Sequence, residues 1–202
     1  MLPIDLDVTR GIRCYMMTCV ADGTLSPERI RSGLHDAIWY SPNDRRAVRA
    51  LFDRNPRTFT RWLFETERNG RYTGLIMIWP PGHRTAIHDH AGLWGIEYVL
   101  QGTLDIEDYE VAIGDDDDAV QPRFVGGSTL REGDSCAFEG VQGHAHRCSN
   151  PSSRLATVTL HLYGGLLDRY RAFEPLEESA SFKAIPVHAR IDGQFGPRRD
   201  HS

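Results

Sequence analysis

The chain has 202 residues, of which 40% are apolar and 25% are charged, and its formal net charge is −5. This length and composition fit one globular domain with a hydrophobic core, and without a basic cluster we expect no nucleic-acid partner. No apolar run reaches the roughly 20 residues that a membrane span needs, and the start has no features of a secretion signal. We therefore expect a cytoplasmic protein with no membrane partner, whose four cysteines are free thiols.

The first 56 residues are predicted to be helical. Ser26-Pro27 and Ser41-Pro42 each place a hydroxyl, which can accept an orphan backbone N–H, before a proline that suits the first helical turn. These signals predict helices over about 27–38 and 42–54.

From Thr58 the pattern changes to short β-rich runs separated by turn residues. The predicted strands are FTRWLF, YTGLIMIW, WGIEYVL, TLDIEDYEV and RLATVTLHLY. Frequent short strands are typical of an antiparallel sandwich or barrel. Within a single domain over 1–202, we assign 57–165 to the barrel core and 166–202 to a C-terminal extension that shields strand edges. The acidic stretch 113–122 is predicted to be a solvated turn.

Histidines supply the clearest chemical signal. His88 and His90 are two residues apart, and His144 and His146 repeat that spacing. On a strand, residues i and i+2 face the same way, so each pair can present two imidazoles to one metal ion. One such pair is explained equally well by polar residues on the wet face of a strand. Two pairs favour a metal site, because imidazole is the commonest metal ligand in proteins.

The spacing around these pairs resembles the two motifs of the cupin family, over residues 82–102 and 133–150. In the first motif, Gly95 stands at the position of a glutamate ligand. The resemblance implies a mainly β fold, a double-stranded β-helix or jelly-roll barrel preceded by helices. The metal ligands that it implies are His88, His90 and His146.

Two other side chains compete for a place in this metal site. His144 faces the same way as His146 if both lie on one strand. Glu97 follows Gly95 by two residues, so the alternation of a strand puts both on one face. The sequence leaves both alternatives open.

Most of the chain from Arg57 to Tyr163 is similar to the cysteine dioxygenase family, a branch of the cupins. The matching stretches are FTRWLF, WPPGHRTAIHDH, VLQGTL, HRCSN and TLHLY. In TLHLY a hydroxyl, an imidazole and a phenol alternate, so they share one face of a strand. An isolated amphipathic strand would turn that face to water. The resemblance instead implies that Thr159, His161 and Tyr163 form a catalytic hydrogen-bond relay beside the metal.

The family resemblance also implies the cofactor and the reaction. It implies a mononuclear non-haem Fe(II) centre that uses O2 to oxidise a small thiol to a sulfinic acid, a reaction of cysteine metabolism. Non-haem iron oxygenases usually hold the metal with two histidines and a carboxylate. Three neutral histidines leave the positive charge of the metal uncompensated, so such a site favours an anionic thiolate.

Arg61 aligns with the arginine that anchors the carboxylate of cysteine in this family. A guanidinium can make a bidentate, charge-assisted pair with a carboxylate. Relatives that prefer 3-mercaptopropionate carry glutamine there, so arginine favours L-cysteine, with 3-mercaptopropionate as the alternative substrate. Without the metal motifs, Arg61 would be interpreted as a surface charge on a strand.

Three departures from mammalian members concern the pocket. Gly95 replaces a cysteine that cross-links to the tyrosine, so no thioether with Tyr163 is expected, as in bacterial members. Phe59 replaces a tyrosine, and 164–166 (GGL) replaces a Ser-Pro-Pro segment.

A hypothesis of another class is a non-catalytic cupin that binds zinc or nickel, which the histidines alone permit. It gives no reason for Arg61 or for the TLHLY strand. A sugar-phosphate isomerase on the same fold would want a glutamate ligand and a phosphate-binding cluster, and the sequence has neither. A monomer is compatible with the sequence, which does not determine the oligomeric state.

Overall fold

The computed structural model describes residues 6–112, 120–176 and 181–196. Most of the predicted acidic turn, residues 113–119, lies outside these ranges. Three helices begin the described part of the chain: α1 (Asp7–Ala21), α2 (Pro27–Ala37) and α3 (Pro42–Arg54). None of the helices in these ranges is long and apolar enough to cross a membrane.

The N-terminal caps of the helices follow the prediction in part. At α3, Ser41 and Asp44 form a reciprocal capping box, with both hydrogen bonds at 3.1 Å. At α2 the helix begins at Pro27 as predicted, but the Ser26 side chain makes no capping hydrogen bond, so that part of the prediction is wrong. The Asp44 carboxylate also accepts the backbone N–H groups of Asp7 and Val8, and thus caps α1 from a distant part of the chain.

Twelve strands of the described chain form two six-stranded sheets. The strands are β1 (Thr60–Thr66), β2 (Thr73–Trp79), β3 (Ile87–His88), β4 (Gly95–Gln101), β5 (Thr103–Glu110), β6 (Arg123–Arg131), β7 (Ser135–Phe138), β8 (His144–Ser149), β9 (Thr157–Tyr163), β10 (Arg169–Pro175), β11 (Phe182–His188) and β12 (Gly193–Gln194). Their order is β12-β1-β2-β9-β4-β7 in the first sheet and β11-β10-β3-β8-β5-β6 in the second.

The architecture is the predicted one: mainly β, with N-terminal helices and the double-stranded β-helix of a cupin. The five predicted runs correspond to β1, β2, β4, β5 and β9. The C-terminal segment adds strands to both sheets, since β12 pairs in parallel with β1 and β10 pairs with β3. These pairings cover backbone edges that would otherwise be open.

The central strands of the first sheet, β2, β9 and β4, are buried on both faces. Along β2, Ile76 and Ile78 belong to a core shared with the helices, whereas Leu75 and Met77 belong to a core on the other face of the sheet. Full burial of each such side chain stabilises the fold by about 1.5–3 kcal/mol. The same alternation on β9 places the apolar residues with the helices, so the polar residues of TLHLY face the interior of the barrel and not water.

Candidate active site

Three histidines meet in the interior of the barrel. His88 ends β3, and His146 on β8 is its direct partner in the strand pairing. The ring centroid of His90 lies 4.5 Å from that of His146 and 5.2 Å from that of His88. One ligand atom from each side chain lies within 4.8 Å of the other two. The structure thus brings together the three histidines that were predicted as metal ligands.

The backbone that positions His90 differs from the strand that the sequence predicted. β3 ends at His88, and His90 lies in an irregular turn where Ala91 has a φ of 52°, which non-glycine residues rarely adopt. Asp89 fastens the turn to β10. Its N–H donates to the Arg171 carbonyl at 3.0 Å, and its carboxylate accepts from the backbone N–H and Nε of Arg171 at 2.8 and 2.7 Å. The prediction that strand alternation orients this pair is wrong, because the turn is held by hydrogen bonds to β10.

The three imidazoles are neutral and have nitrogen atoms available. Burial lowers the pKa of His88 to about 4 and holds the pKa values of His90 and His146 well below the ordinary value. Nδ1 of His88 lies 3.1 Å from the carbonyl oxygen of Ala86, to which it donates, so Nε2 keeps its lone pair. Nε2 of His90 is buried and has no hydrogen-bond partner among the described residues. A buried nitrogen without a partner is costly, and a metal ion between the three rings would remove that cost. These residues fit a metal ion.

The two rival ligands occupy different surroundings. His144 lies on β8, but its side chain is partly exposed, and its Nε2 is 3.5 Å from the Asp108 carboxylate. Glu97 is buried, with Oε1 3.6 Å from Nε2 of His146 and 3.5 Å from Nδ1 of His161. Neither side chain belongs to the three-histidine group found among the described residues. Burial raises the pKa of Glu97 to about 8, so its carboxyl group is mostly protonated at neutral pH.

Phe138 fills the space that a side chain at position 95 would need. Gly95 and Phe138 are direct partners in the pairing of β4 with β7. A Cβ on Gly95 would lie 2.1 Å from Cζ of the phenyl ring. The ring itself packs on His90, with centroids 4.4 Å apart. A glutamate ligand or a cross-linking cysteine at position 95 would therefore displace the ring that supports His90.

We expect Gly95→Ala to lower the free energy of unfolding by about 1–3 kcal/mol, the usual cost of overpacking. Adding Phe138→Leu should restore part of this stability, since it removes the ring that the new methyl group meets. Urea unfolding of the single and double variants measures both effects. Gly126→Ala on β6 is the matched control, because a Cβ there has no atom within 4 Å. Equal losses in Gly95→Ala and Gly126→Ala would contradict the packing argument.

A hydrogen-bond chain runs along β9 beside the histidines. Nε1 of Trp79 donates to Oγ1 of Thr159 at 2.8 Å, and Oγ1 of Thr159 lies 2.8 Å from Nε2 of His161. Nδ1 of His161 lies 3.2 Å from the Tyr163 hydroxyl oxygen. In the His161 tautomer with the hydrogen on Nδ1, Thr159 donates to Nε2 and Nδ1 donates to the phenol oxygen. That tautomer leaves the hydroxyl hydrogen of Tyr163 free to point into the cavity.

The buried histidines determine how stability changes with pH. Burial lowers the pKa of His161 to about 3 and that of His88 to about 4, from an ordinary value of 6.5. As the pH falls through this range, the unfolded chain takes up protons that the folded chain does not, and stability is lost. Glu97 acts in the opposite sense between its ordinary pKa of 4.5 and about 8, because its folded state keeps a proton that the unfolded chain loses. The buried His90, His146 and His161, together with the partly buried His88, outweigh this single carboxyl group.

We expect the free energy of unfolding of the chelator-treated protein to fall between about pH 6.5 and pH 4. Urea titrations at a series of pH values measure this slope. His161→Asn should flatten it, because the variant lacks one of the groups that protonate only on unfolding. His188→Asn, at an exposed position on β11, is the control and should leave the slope unchanged. An unchanged slope in His161→Asn would show that burial of this imidazole does not have the expected effect.

Arg61, on β1, lines the same cavity as His88, His146 and Tyr163. Its guanidinium lies over the Phe59 ring at 4.7 Å, and Nη2 donates to the Tyr170 hydroxyl at 3.3 Å. Burial is the largest cause of the low pKa of His161, and the positive charge of Arg61 is the next largest. Among the described residues, the guanidinium donates a hydrogen bond to the Tyr170 phenol and to no carboxylate. The guanidinium can therefore still bind the carboxylate of a ligand.

Sequence reasoning missed three aromatic residues of this site. Tyr170, on β10, lies beyond Tyr163, where the resemblance identified from the sequence ends, and its ring centroid is 5.4 Å from that of His88. Trp79 stands in a matching stretch, but no pattern in the sequence indicates that its N–H bonds Thr159. Phe138 lies 43 positions after its cross-strand partner Gly95, as the register of β4 and β7 shows, and no local signal connects the two.

Comparisons with known proteins show which family this chain is similar to. The family model described as cysteine dioxygenase type I matches residues 31–175. The chain is 32% identical over 147 residues to cysteine dioxygenase type 1 of Rattus norvegicus, covering 72% of this chain and 69% of the relative. It is 30% identical over 145 residues to cysteine dioxygenase type 1 of Homo sapiens, with the same coverage. Among solved structures, the Schizosaccharomyces pombe Cnp3 cupin domain is 8% identical and covers 54% of this chain and 61% of its own, with a TM-score of 0.41. With a family model that matches most of its length, this chain belongs to the cysteine dioxygenase type I family.

Proposed function

We propose that the protein is an Fe(II)- and O2-dependent thiol dioxygenase that oxidises L-cysteine to cysteine sulfinic acid. The observation that carries this proposal is the convergence of three groups around one cavity: His88 and His146 of the three-histidine group, the end of the hydrogen-bond chain at Tyr163, and the Arg61 guanidinium. Membership of the cysteine dioxygenase type I family supports the same reaction class.

The proposed metal ligands are His88, His90 and His146. When bound by these imidazoles, Fe(II) would supply coordination of the thiol sulfur and activation of O2. The three imidazoles are neutral, and Glu97 beside them is protonated below about pH 8, so the chain adds little negative charge here. A site of this kind favours a substrate that brings its own negative charge as a thiolate.

Arg61 and Tyr163 are proposed to orient the substrate. The guanidinium would pair with the substrate carboxylate, and such charge-assisted hydrogen bonds fix both position and direction. The hydroxyl hydrogen of Tyr163, left free by the donation from His161, would donate to a substrate oxygen in the cavity. Burial raises the pKa of Tyr163 well above its ordinary value, so the phenol keeps this hydrogen.

The proposed reaction balances without a reductant or a further cosubstrate. A thiol and one O2 molecule give one sulfinic acid, and both oxygen atoms end on sulfur. Sulfur loses four electrons and O2 gains four. This balance agrees with a site that consists of a metal-ligand group, a proton-holding relay and one carboxylate anchor.

The decisive experiment measures O2 uptake by Fe(II)-loaded protein offered L-cysteine and 3-mercaptopropionate in parallel, with the product identified by mass. We expect uptake with cysteine to dominate and the product to carry both atoms of 18O2. Preference for 3-mercaptopropionate would retain the reaction class and replace the substrate. If neither thiol supported uptake, and the protein purified anaerobically held stoichiometric zinc, the non-catalytic metal-binding cupin would replace the enzyme.

A further inference from the structure

His146 also belongs to a second group of potential metal ligands, formed with Glu97 and Cys148. All three side chains are buried, with 2% or less of their surface exposed. Nε2 of His146 lies 3.6 Å from Oε1 of Glu97 and 3.7 Å from Sγ of Cys148. Sγ of Cys148 lies 3.8 Å from both carboxylate oxygens. An imidazole, a carboxyl group and a thiol thus form a nearly equilateral triangle.

The dimensions of this triangle fit tetrahedral zinc. Zinc bonds measure about 2.0–2.2 Å to nitrogen and oxygen and about 2.3 Å to sulfur, which separates tetrahedral ligand atoms by about 3.4–3.6 Å. The separations of 3.6, 3.7 and 3.8 Å exceed these values by only about 0.2 Å each. Hydrogen bonds from the thiols alone explain the cluster less well, since Cys148 and Cys136 lie 3.8–3.9 Å from the carboxylate and thiols are weak donors.

We propose that Glu97, His146 and Cys148 form a second metal site that takes zinc or another thiophilic divalent ion. A thiolate ligand favours such ions, whereas the three-histidine group offers imidazoles alone. Three protein ligands leave the fourth position of tetrahedral zinc to an exchangeable ligand.

The two metal sites share one imidazole. A neutral imidazole has a single lone pair, so His146 serves one ligand group at a time. Zinc in the second site therefore removes a ligand from the three-histidine group, and zinc and iron exclude each other. This competition rests on the proposed iron site, but the zinc site itself does not.

Cobalt(II) is the probe that reports on the thiolate, because cobalt–thiolate sites absorb in the near ultraviolet by charge transfer and cobalt–imidazole sites do not. We expect the metal-free, full-length protein, titrated anaerobically with Co(II), to develop this band and to lose it when Zn(II) is added. Cys148→Ser should abolish the band, because it removes the thiolate from the second group. His88→Ala should keep the band, since His88 belongs only to the three-histidine group. Cys14→Ser, which removes an exposed thiol on α1, is the matched control and should bind both ions as the unmodified chain does.

Two results would overturn the zinc site. One is stoichiometric cobalt binding by the unmodified chain with no thiolate band, which decides the matter even if Cys148→Ser does not fold. The other is a band that persists in Cys148→Ser or disappears in His88→Ala. Neither result affects the O2-uptake experiment. Conversely, the protein could show a Cys148-dependent band and consume no O2. That result would support the zinc site and contradict only the proposed competition with iron.

Discussion

His146→Ala should abolish iron retention and lower thiol oxidation by more than about a hundredfold, because even the loss of an outer partner of a metal ligand typically costs 10–100-fold. His146 lies buried on β8, directly opposite His88, and its ring is within 5 Å of both other rings. The pairing of β8 with β3 and β5 holds the backbone at His146 in place. Metal content after desalting and the initial rate of O2 uptake measure the two effects.

His144→Ala is the matched control for this prediction. The substitution removes an imidazole from the same strand, two residues away, where the side chain is partly exposed and faces Asp108. We expect iron content and rate to stay within about twofold of the unmodified protein, as is usual for a surface substitution. If His144→Ala lost iron and His146→Ala retained it, the two histidines would exchange roles.

Arg61→Ala should raise the KM for L-cysteine about ten- to a hundredfold, the equivalent of the 1.5–3 kcal/mol that hydrogen bonds to a charged group contribute. The guanidinium is held at the cavity by Phe59 and Tyr170, and Asp192 fixes the backbone of Arg61 with hydrogen bonds of 3.0 and 2.8 Å. This support keeps the charge in one place, so little ordering is needed when a carboxylate binds. Steady-state O2 uptake over a range of cysteine concentrations gives KM and kcat separately.

Cysteamine, which has the thiol and amine of cysteine but no carboxylate, tests the assigned partner of Arg61. The loss on Arg61→Ala should be much smaller for cysteamine than for cysteine, because cysteamine offers nothing for the guanidinium to bind. Arg57→Ala, at an exposed position just before β1, controls for the change in net charge. If Arg61→Ala impaired oxidation of cysteine and of cysteamine equally, Arg61 would support the structure of the cavity and would not bind the substrate carboxylate.

The sequence by itself determined the fold class and the strand that carries the hydrogen-bond chain. Five β-rich runs with turn residues between them correspond to five strands of the structure. In a strand, residues two apart share a face, so the apolar residues are buried together only when that face packs on the core. TLHLY shows how far that reasoning extends. Alternation establishes that Thr159, His161 and Tyr163 share a face, but only the packing of the opposite face under the helices turns the polar side into the barrel.

Other parts of the site depend on contacts between residues far apart in the chain. Two hydrogen bonds from Arg171 to the Asp89 carboxylate help to orient His90, and strand alternation does not. Tyr170 reaches Arg61 only because β10 joins the second sheet beside β3.

Gly95 shows the difference between the two kinds of information. The sequence identified a missing carboxylate at this position, and the structure explains the glycine by the Phe138 ring that occupies the space. Glu97 and Cys148 likewise meet at His146 because β4 and β8 lie in different sheets of one barrel. Because side chains alternate along a strand, the sequence determines which face of its strand a residue lies on. Which side chain lies opposite it depends on how the two sheets close into a barrel.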